Sequence, residues 1–151
     1  MSPPIFVDAN VPIYAAGRSH PLKEPCAEIL RLVAERPGMF FTDAEVLREL
    51  LHRYLALRLW PQGKEVLLRF SVLMHERVEP VYAADVESAA VLAERNSASG
   101  LSARDLLHSA VVLRLGRTRI ISADRAFGRI SDDVELLDPK DFDSWRVRLE
   151  G

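Results

Sequence analysis

Four acids in this chain fall where carboxylates can meet: Asp8, Glu49, Asp105 and Asp124. Asp8 ends the apolar run Ile5, Phe6, Val7, and Asp124 lies just past Ile120, Ile121 and Ser122. In parallel α/β sheets the carboxyl ends of strands line the ligand crevice, so acids at two such ends are expected to be neighbours. Glu49 sits among Val46, Leu47, Leu50 and Leu51, and Asp105 among Leu101, Leu106, Leu107 and Val111. An acid beside such a face needs a partner. Several carboxylates close together raise one another's pKa values, whereas a divalent cation holds them ionised. Oxygen donors suit a hard ion, Mg²⁺ or Mn²⁺. In phosphodiester cleavage such an ion polarises the phosphoryl oxygen, lowers the pKa of a bound water and steadies the departing oxygen, so no side-chain nucleophile is needed.

Each acid also has an ordinary structural role open to it. Asp8 can bond backbone amides in its turn, Glu49 can be a solvated helix residue, Asp105 can lie at N3 of its helix, and Asp124 can cap the turn beginning at Arg125. Glu45, one helical turn before Glu49, is the reserve acid for that face. Arg104 and Arg125, each beside an acid, are either contacts to a substrate phosphate or solvated and ion-paired arginines. His20, His52, His75 and His108 show no zinc-motif spacing. His108, three residues after Asp105, either orients that acid or is a packed or surface histidine. Trp60 and Trp145 read as packing anchors, and Cys26 as a buried free thiol.

The elements that must position these residues alternate. Residues 5–7 read as a buried strand and 11–16 as a short helix opened by Asn10. A helix over 21–36 ends at Pro37 and Gly38, and a strand over 39–41 follows. Thr42 or Asp43 caps a helix running to about Trp60, where Pro61 and Gly63 interrupt it. Residues 64–77 form another helix, and 78–82 a strand whose Pro80 marks a sheet edge. Asp85 caps 86–95, residues 96–100 form a polar break, and Ser102 caps 103–115, ended by Gly116. A strand over 119–122, a helical turn over 125–127 and a last strand over 134–137, stopped by Asp138 and Pro139, complete the chain. Strands separated by helices imply a three-layer α/β/α sandwich with a mainly parallel central sheet.

Length and composition bound the rest. With 151 residues, 48% hydrophobic and 28% charged, the chain is expected to be a single domain over residues 1–151 with its own core. No apolar stretch can span a bilayer and the amino terminus lacks a basic leader, so no membrane and a cytoplasmic location are expected. A net charge of −2 does not advertise nucleic-acid binding, so a polyanion must be held locally; seventeen of the twenty basic residues are arginine, which reads either as compositional bias or as a planar fork suited to phosphate.

Four blocks together resemble the PIN-domain family: Phe6, Val7, Asp8, Ala9, Asn10, Val11; Glu49, Leu50, Leu51; Asp105 through Ala110; and Ser122 through Phe127. Within it the chain looks most like the VapC-type toxins of toxin–antitoxin pairs, over nearly its whole length. The resemblance implies a Mg²⁺- or Mn²⁺-dependent endoribonuclease that leaves a 5′-phosphate and a 3′-hydroxyl. It also implies a cognate antitoxin as partner and a homodimer as assembly. Asp8, Glu49, Asp105 and Asp124 carry over as the catalytic, metal-binding set, with Asn10 and Ser122 as supporting polar residues. Some members carry a further acid four positions after the last one, where this chain has Gly128. The helix carrying Glu49 and residues 64–74 are the expected walls of an antitoxin groove. Two other readings stand beside this one: a receiver-like phospho-acceptor domain, with Lys140 as its lysine, and a non-catalytic module that binds RNA or a partner.

Overall fold

Ile5–Val7 (β1) is an apolar run with nothing polar on either face, which suits the middle of a parallel sheet. In the computed structural model, which describes residues 3–96, 100–130 and 134–150, that is where it lies. Phe40–Asp43 (β2) pairs with it on one side, Ile5 opposite Phe40, and Arg119–Ile121 (β4) on the other, Val7 opposite Ile121. Val78–Glu79 (β3) and Glu135–Leu137 (β5) are the edges, and every pairing is parallel, in the order β3-β2-β1-β4-β5. The chain builds outward from β1 to β3 and then restarts at β4 on the opposite side. The sheet's switch point therefore falls between β1 and β4, where such sheets bind ligands.

The helices are Asn10–Ala16 (α1), Lys23–Glu35 (α2), Ala44–Ala56 (α3), Trp60–Leu73 (α4), Ala83–Arg95 (α5), Ala103–Arg114 (α6) and Phe142–Glu150 (α7). With the sheet they make the expected three-layer α/β/α sandwich. α1 packs on α2, α3 on α4 and α5 on α6. Phe6, Ile120, Ile121 and Phe127 are fully buried in the core, Cys26 is buried and free, and Trp145 packs edge-on against Phe142. Gly116 ends α6 at a φ of +66°, where glycine carries no Cβ penalty. No helix among the described residues is long and apolar enough to cross a membrane.

Four expectations are corrected. The helix after β2 stops at Ala56 rather than near Trp60, because Arg58 turns the chain at a φ of +57°. Pro61 and Gly63 do not separate helices but lie inside the beginning of α4, which spans Trp60–Leu73 rather than 64–77. Asp85 is the third residue of α5 and not its cap; it accepts from the Tyr82 amide and pairs with Arg114 at 2.8 Å. Asp138 and Pro139 stop the strand over 135–137 as expected, but that strand is not the last element: a turn in which Asp138 accepts from the Lys140 amide leads into α7. Residues 97–99 of the predicted break lie outside the described residues, as do Met1 and Ser2 of the amino-terminal stretch.

Gly63 is required by packing: a Cβ there would lie 2.2 Å from the Tyr54 Cβ. Gly63→Ala should destabilise the fold by about 1–3 kcal/mol despite alanine's better helix propensity, read by denaturant unfolding. A stabilised variant would show that α3 and α4 can separate freely.

Candidate functional site

Asp8 is the first residue past the central strand and 4% exposed, and three groups donate to its carboxylate. Oδ1 accepts from the Ala9 amide at 2.7 Å; Oδ2 accepts from the Ser122 hydroxyl at 2.7 Å and from Asn10 Nδ2 at 3.2 Å. Ser122 Oγ also accepts from Asn10 Nδ2 at 2.9 Å and from the Asp124 amide at 3.0 Å, which uses its full bonding capacity. Asn10 Oδ1 accepts from the Ala123 amide at 3.1 Å. Asn10 and Ser122 thus lock the end of β1 to the end of β4.

The other acids arrive from helix starts. Asp124 caps the short 3₁₀ turn Arg125–Arg129 by accepting from the Ala126 amide. Asp105 forms a capping box with Ser102, at 3.3 and 3.4 Å. Glu49, two turns into α3, meets Arg104 Nε at 3.3 Å. Asp8, Asn10, Glu49, Arg104, Asp105 and Asp124 line one cavity of about 180 Å³, with Arg53 and Tyr14 at its wall. All four predicted acids therefore converge. Arg125 is exposed and outside this lining, and Glu45 turns to Arg48 at 2.8 Å. Lys140 lies in the turn after β5, also outside the lining. The strand order differs from the 2-1-3-4-5 of receiver-like sheets, so the phospho-acceptor reading loses both its lysine and its topology.

Two members of the site were not identified from the sequence. His108 does not orient Asp105: it is fully buried, with Nδ1 2.7 Å from Oδ2 of the equally buried Asp43. Its Nε2 lies 3.6 Å from Asp8 Oδ1 and 3.8 Å from Glu49 Oε1, too far to hydrogen bond. Asp8, Glu49 and His108 form the one trio among the described residues whose donor atoms all come within 4.8 Å. The available signals were positional: Asp43 ends β2 as Asp8 ends β1, and His108 is one helical turn from Asp105.

Burial pushes the Asp8 carboxyl up to about 6, against the opposing charge of His108; Glu49 pushes it further the same way. Burial also raises Asp105, and the charge of Asp124 adds to that. Burial alone would pull the His108 imidazole down, but Asp43, Glu49 and Asp8 override it and push it up to about 10.

The Asp8 shift has a thermodynamic consequence. An acid at about 6 in the fold and 3.8 in the unfolded chain adds no penalty below pH 4; the penalty grows between 4 and 6 and is complete above. In EDTA, Asp8→Asn should therefore stabilise the fold at pH 8 by an amount on the order of 1–3 kcal/mol, read as a higher thermal midpoint, and the gain should vanish at pH 4. Equal melting at pH 8 would mean that the charge of Asp8 is fully compensated.

Residues 5–133 match the family model described as PIN domain. The chain is 42% identical over 123 residues to Ribonuclease VapC23 of Mycobacterium tuberculosis, covering 80% of this chain and 92% of that protein. It is 37% identical over 125 residues to Ribonuclease VapC13 of the same species, covering 82% and 92%. VapBC2 from Rickettsia felis, bound to a DNA fragment from its promoter, superposes with a TM-score of 0.69 at 17% identity, covering 89% of this chain and 97% of that one. Mycobacterium tuberculosis VapC20, a sarcin-ricin loop cleaving toxin, superposes with a TM-score of 0.68 at 20% identity, covering 83% and 93%. The family match runs from β1 past the turn after β4 and takes in all four acids, so the chain belongs to the PIN-domain family, alongside the VapC ribonucleases.

Proposed function

We propose that this chain, acting as one domain in the cytoplasm, is a metal-dependent endoribonuclease and the toxin half of a toxin–antitoxin pair. The observation that carries the proposal is the convergence of Asp8, Glu49, Asp105 and Asp124 from four separate elements on one small cavity. The relatives' names, ribonucleases at 37–42% identity, supply the substrate class.

The residues fit a divalent ion. Asp8 and Asp105 are both held above their ordinary range by burial and by neighbouring acids, a deficit that a cation would relieve. Among the described residues, the cationic side chains lining the cavity are Arg53 and Arg104. The four acids would hold Mg²⁺ or Mn²⁺, which supplies Lewis-acid polarisation of the phosphoryl group and activation of water. The chain's own residues do the positioning. Ser122 and Asn10 fix Asp8 Oδ2, the capping bonds fix Asp105 and Asp124, and Arg104, half exposed, is placed to exchange Glu49 for a phosphate.

RNA incubated with Mn²⁺ should be cut to 5′-phosphate and 3′-hydroxyl ends. EDTA should abolish cleavage, and Asp8→Asn or Asp105→Asn should lower the rate at least about a hundredfold. Equal cutting by wild type and both variants would mean a contaminating nuclease and sink the proposal.

A second cavity, about 360 Å³, lies between α1, α2 and α4, walled by Ala16, Leu30, Val66, Phe70 and Leu73. Of the two expected groove walls, α4 lines this cavity and α3 does not. An amphipathic antitoxin helix would fit there. Co-expression with the product of the adjacent short reading frame should suppress cleavage. Ala16→Arg, at the exposed rim, should relieve that suppression at least about tenfold while leaving free-enzyme cleavage and homodimer formation unchanged. Undiminished suppression would place the antitoxin elsewhere.

A further inference from the structure

The polar atom that the site leaves unmatched is a nitrogen. His108 Nε2 is sealed from solvent and has no hydrogen-bond partner, the one such side-chain atom among the described residues. It faces Asp8 Oδ1 at 3.6 Å and Glu49 Oε1 at 3.8 Å, and those two carboxylates line the acidic cavity. These separations are long for hydrogen bonds, but they match ligands that share an ion. Two donors each about 2.1 Å from one ion stand between about 3.0 and 4.2 Å apart, depending on the angle between them.

The other ring nitrogen is held firmly. Asp43 Oδ2 lies 2.7 Å from Nδ1, while Asp43 Oδ1 caps α3 by accepting from the Val46 amide at 2.9 Å. A carboxylate on Nδ1 keeps a hydrogen there, so that an ion displacing the proton from Nε2 would meet a lone pair turned toward Asp8 and Glu49. Histidine ligands in metal sites are commonly oriented this way, and the carboxylate makes them more basic. The ring is further fixed by Phe6, with centroids 5.0 Å apart, and by Phe127 at 6.3 Å. The acids that favour a proton on Nε2 in the metal-free protein would favour a metal cation there in its place. An imidazole nitrogen is a poor donor for Mg²⁺ and a good one for first-row transition ions.

We propose that His108 Nε2 is a nitrogen ligand in this site, with Asp43 as its positioning residue, so that the cavity takes Mn²⁺ or Co²⁺ in preference to Mg²⁺. The inference rests on the metal-dependent reading above and narrows it from an all-oxygen to a mixed nitrogen and oxygen donor set.

The full chain loaded with Mn²⁺ tests this by electron spin resonance. Loss of the free-ion signal counts bound Mn²⁺, and spin-echo modulation detects ¹⁴N bonded to it. The wild type should show the coupling of a coordinated imidazole, and growth on ¹⁵N-histidine should replace it with a ¹⁵N coupling. Asp43→Asn tests the positioning step. Its Oδ1 can still cap α3, but its amide now donates to Nδ1, which forces the hydrogen onto Nε2 and removes the lone pair. That variant should lose the nitrogen coupling and bind Mn²⁺ at least about tenfold more weakly, with the affinity for Mg²⁺ itself changed less than about threefold. Stoichiometric Mn²⁺ without nitrogen coupling in the wild type would overturn the His108 assignment and leave the metal reading standing; absence of Mn²⁺ binding would remove both. A coupling that survives in Asp43→Asn would overturn the role of Asp43. If that variant fails to fold, the wild-type spectrum still decides the ligand.

Discussion

A carboxylate buried at the end of the central strand is the constraint around which this molecule is arranged. Charge away from water is expensive unless it is bonded or paired. Asp8 is bonded by Ala9, Asn10 and Ser122 and faced by His108. Each partner draws in another element: Asn10 opens α1, Ser122 follows β4, and His108 belongs to α6 and is tied through Asp43 to the junction of β2 and α3. Three parallel strands and three helices are therefore referenced to one side chain. Even so, burial leaves Asp8 raised to about 6. The stabilising contacts are incomplete, and a binding site differs from a structural ion pair in this way.

The ordinary structural roles of the acids and their place in the cavity turn out to be the same arrangement. Asp43, Asp105 and Asp124 each give one carboxylate oxygen to backbone amides at a helix or turn start. That bond fixes the side chain by the backbone itself, which is stiffer than any neighbouring side chain, and leaves the second oxygen free to face its neighbours. A capping acid at the carboxyl end of a strand is thus a held ligand donor. Glu49 is the exception: it lies in mid-helix and meets the cavity through its pairing with Arg104.

Local pattern carried the elements because each has its own period and punctuation. β1 and β4 are short apolar runs, α2 and α3 are amphipathic, and Pro80 marked an edge strand that is one. The failures came where one residue type has two meanings. Pro61 read as a break, yet proline is equally at home in a first turn, which is where it sits. Gly63 read as punctuation, although it is there to admit Tyr54. Convergence of the four acids was not legible from spacing, since gaps of roughly twenty to sixty residues close only through sheet topology; strand-end placement and family resemblance carried that reading. The Asp43–His108 pair, 65 residues apart, had no local signal beyond position.

Charge balance links the substrate to the ion. Asp8, Asp43, Glu49, Asp105 and Asp124 face three cationic groups, His108, Arg53 and Arg104, so the site is anionic on formal charges even with His108 protonated. A phosphodiester brought within about 4 Å of one more carboxylate meets a repulsion of about 4 kcal/mol at an effective dielectric of about 20. On the proposed function, this repulsion disfavours a phosphodiester in the cavity without an ion. A divalent ion held by the acids would offset that excess and, by taking over the charge of Glu49, would free the Arg104 guanidinium that now lies 3.3 Å from it. On the proposed function the ion admits the substrate as well as activating it, and arginine, whose fork fits a phosphate, stands at the point where the exchange must occur.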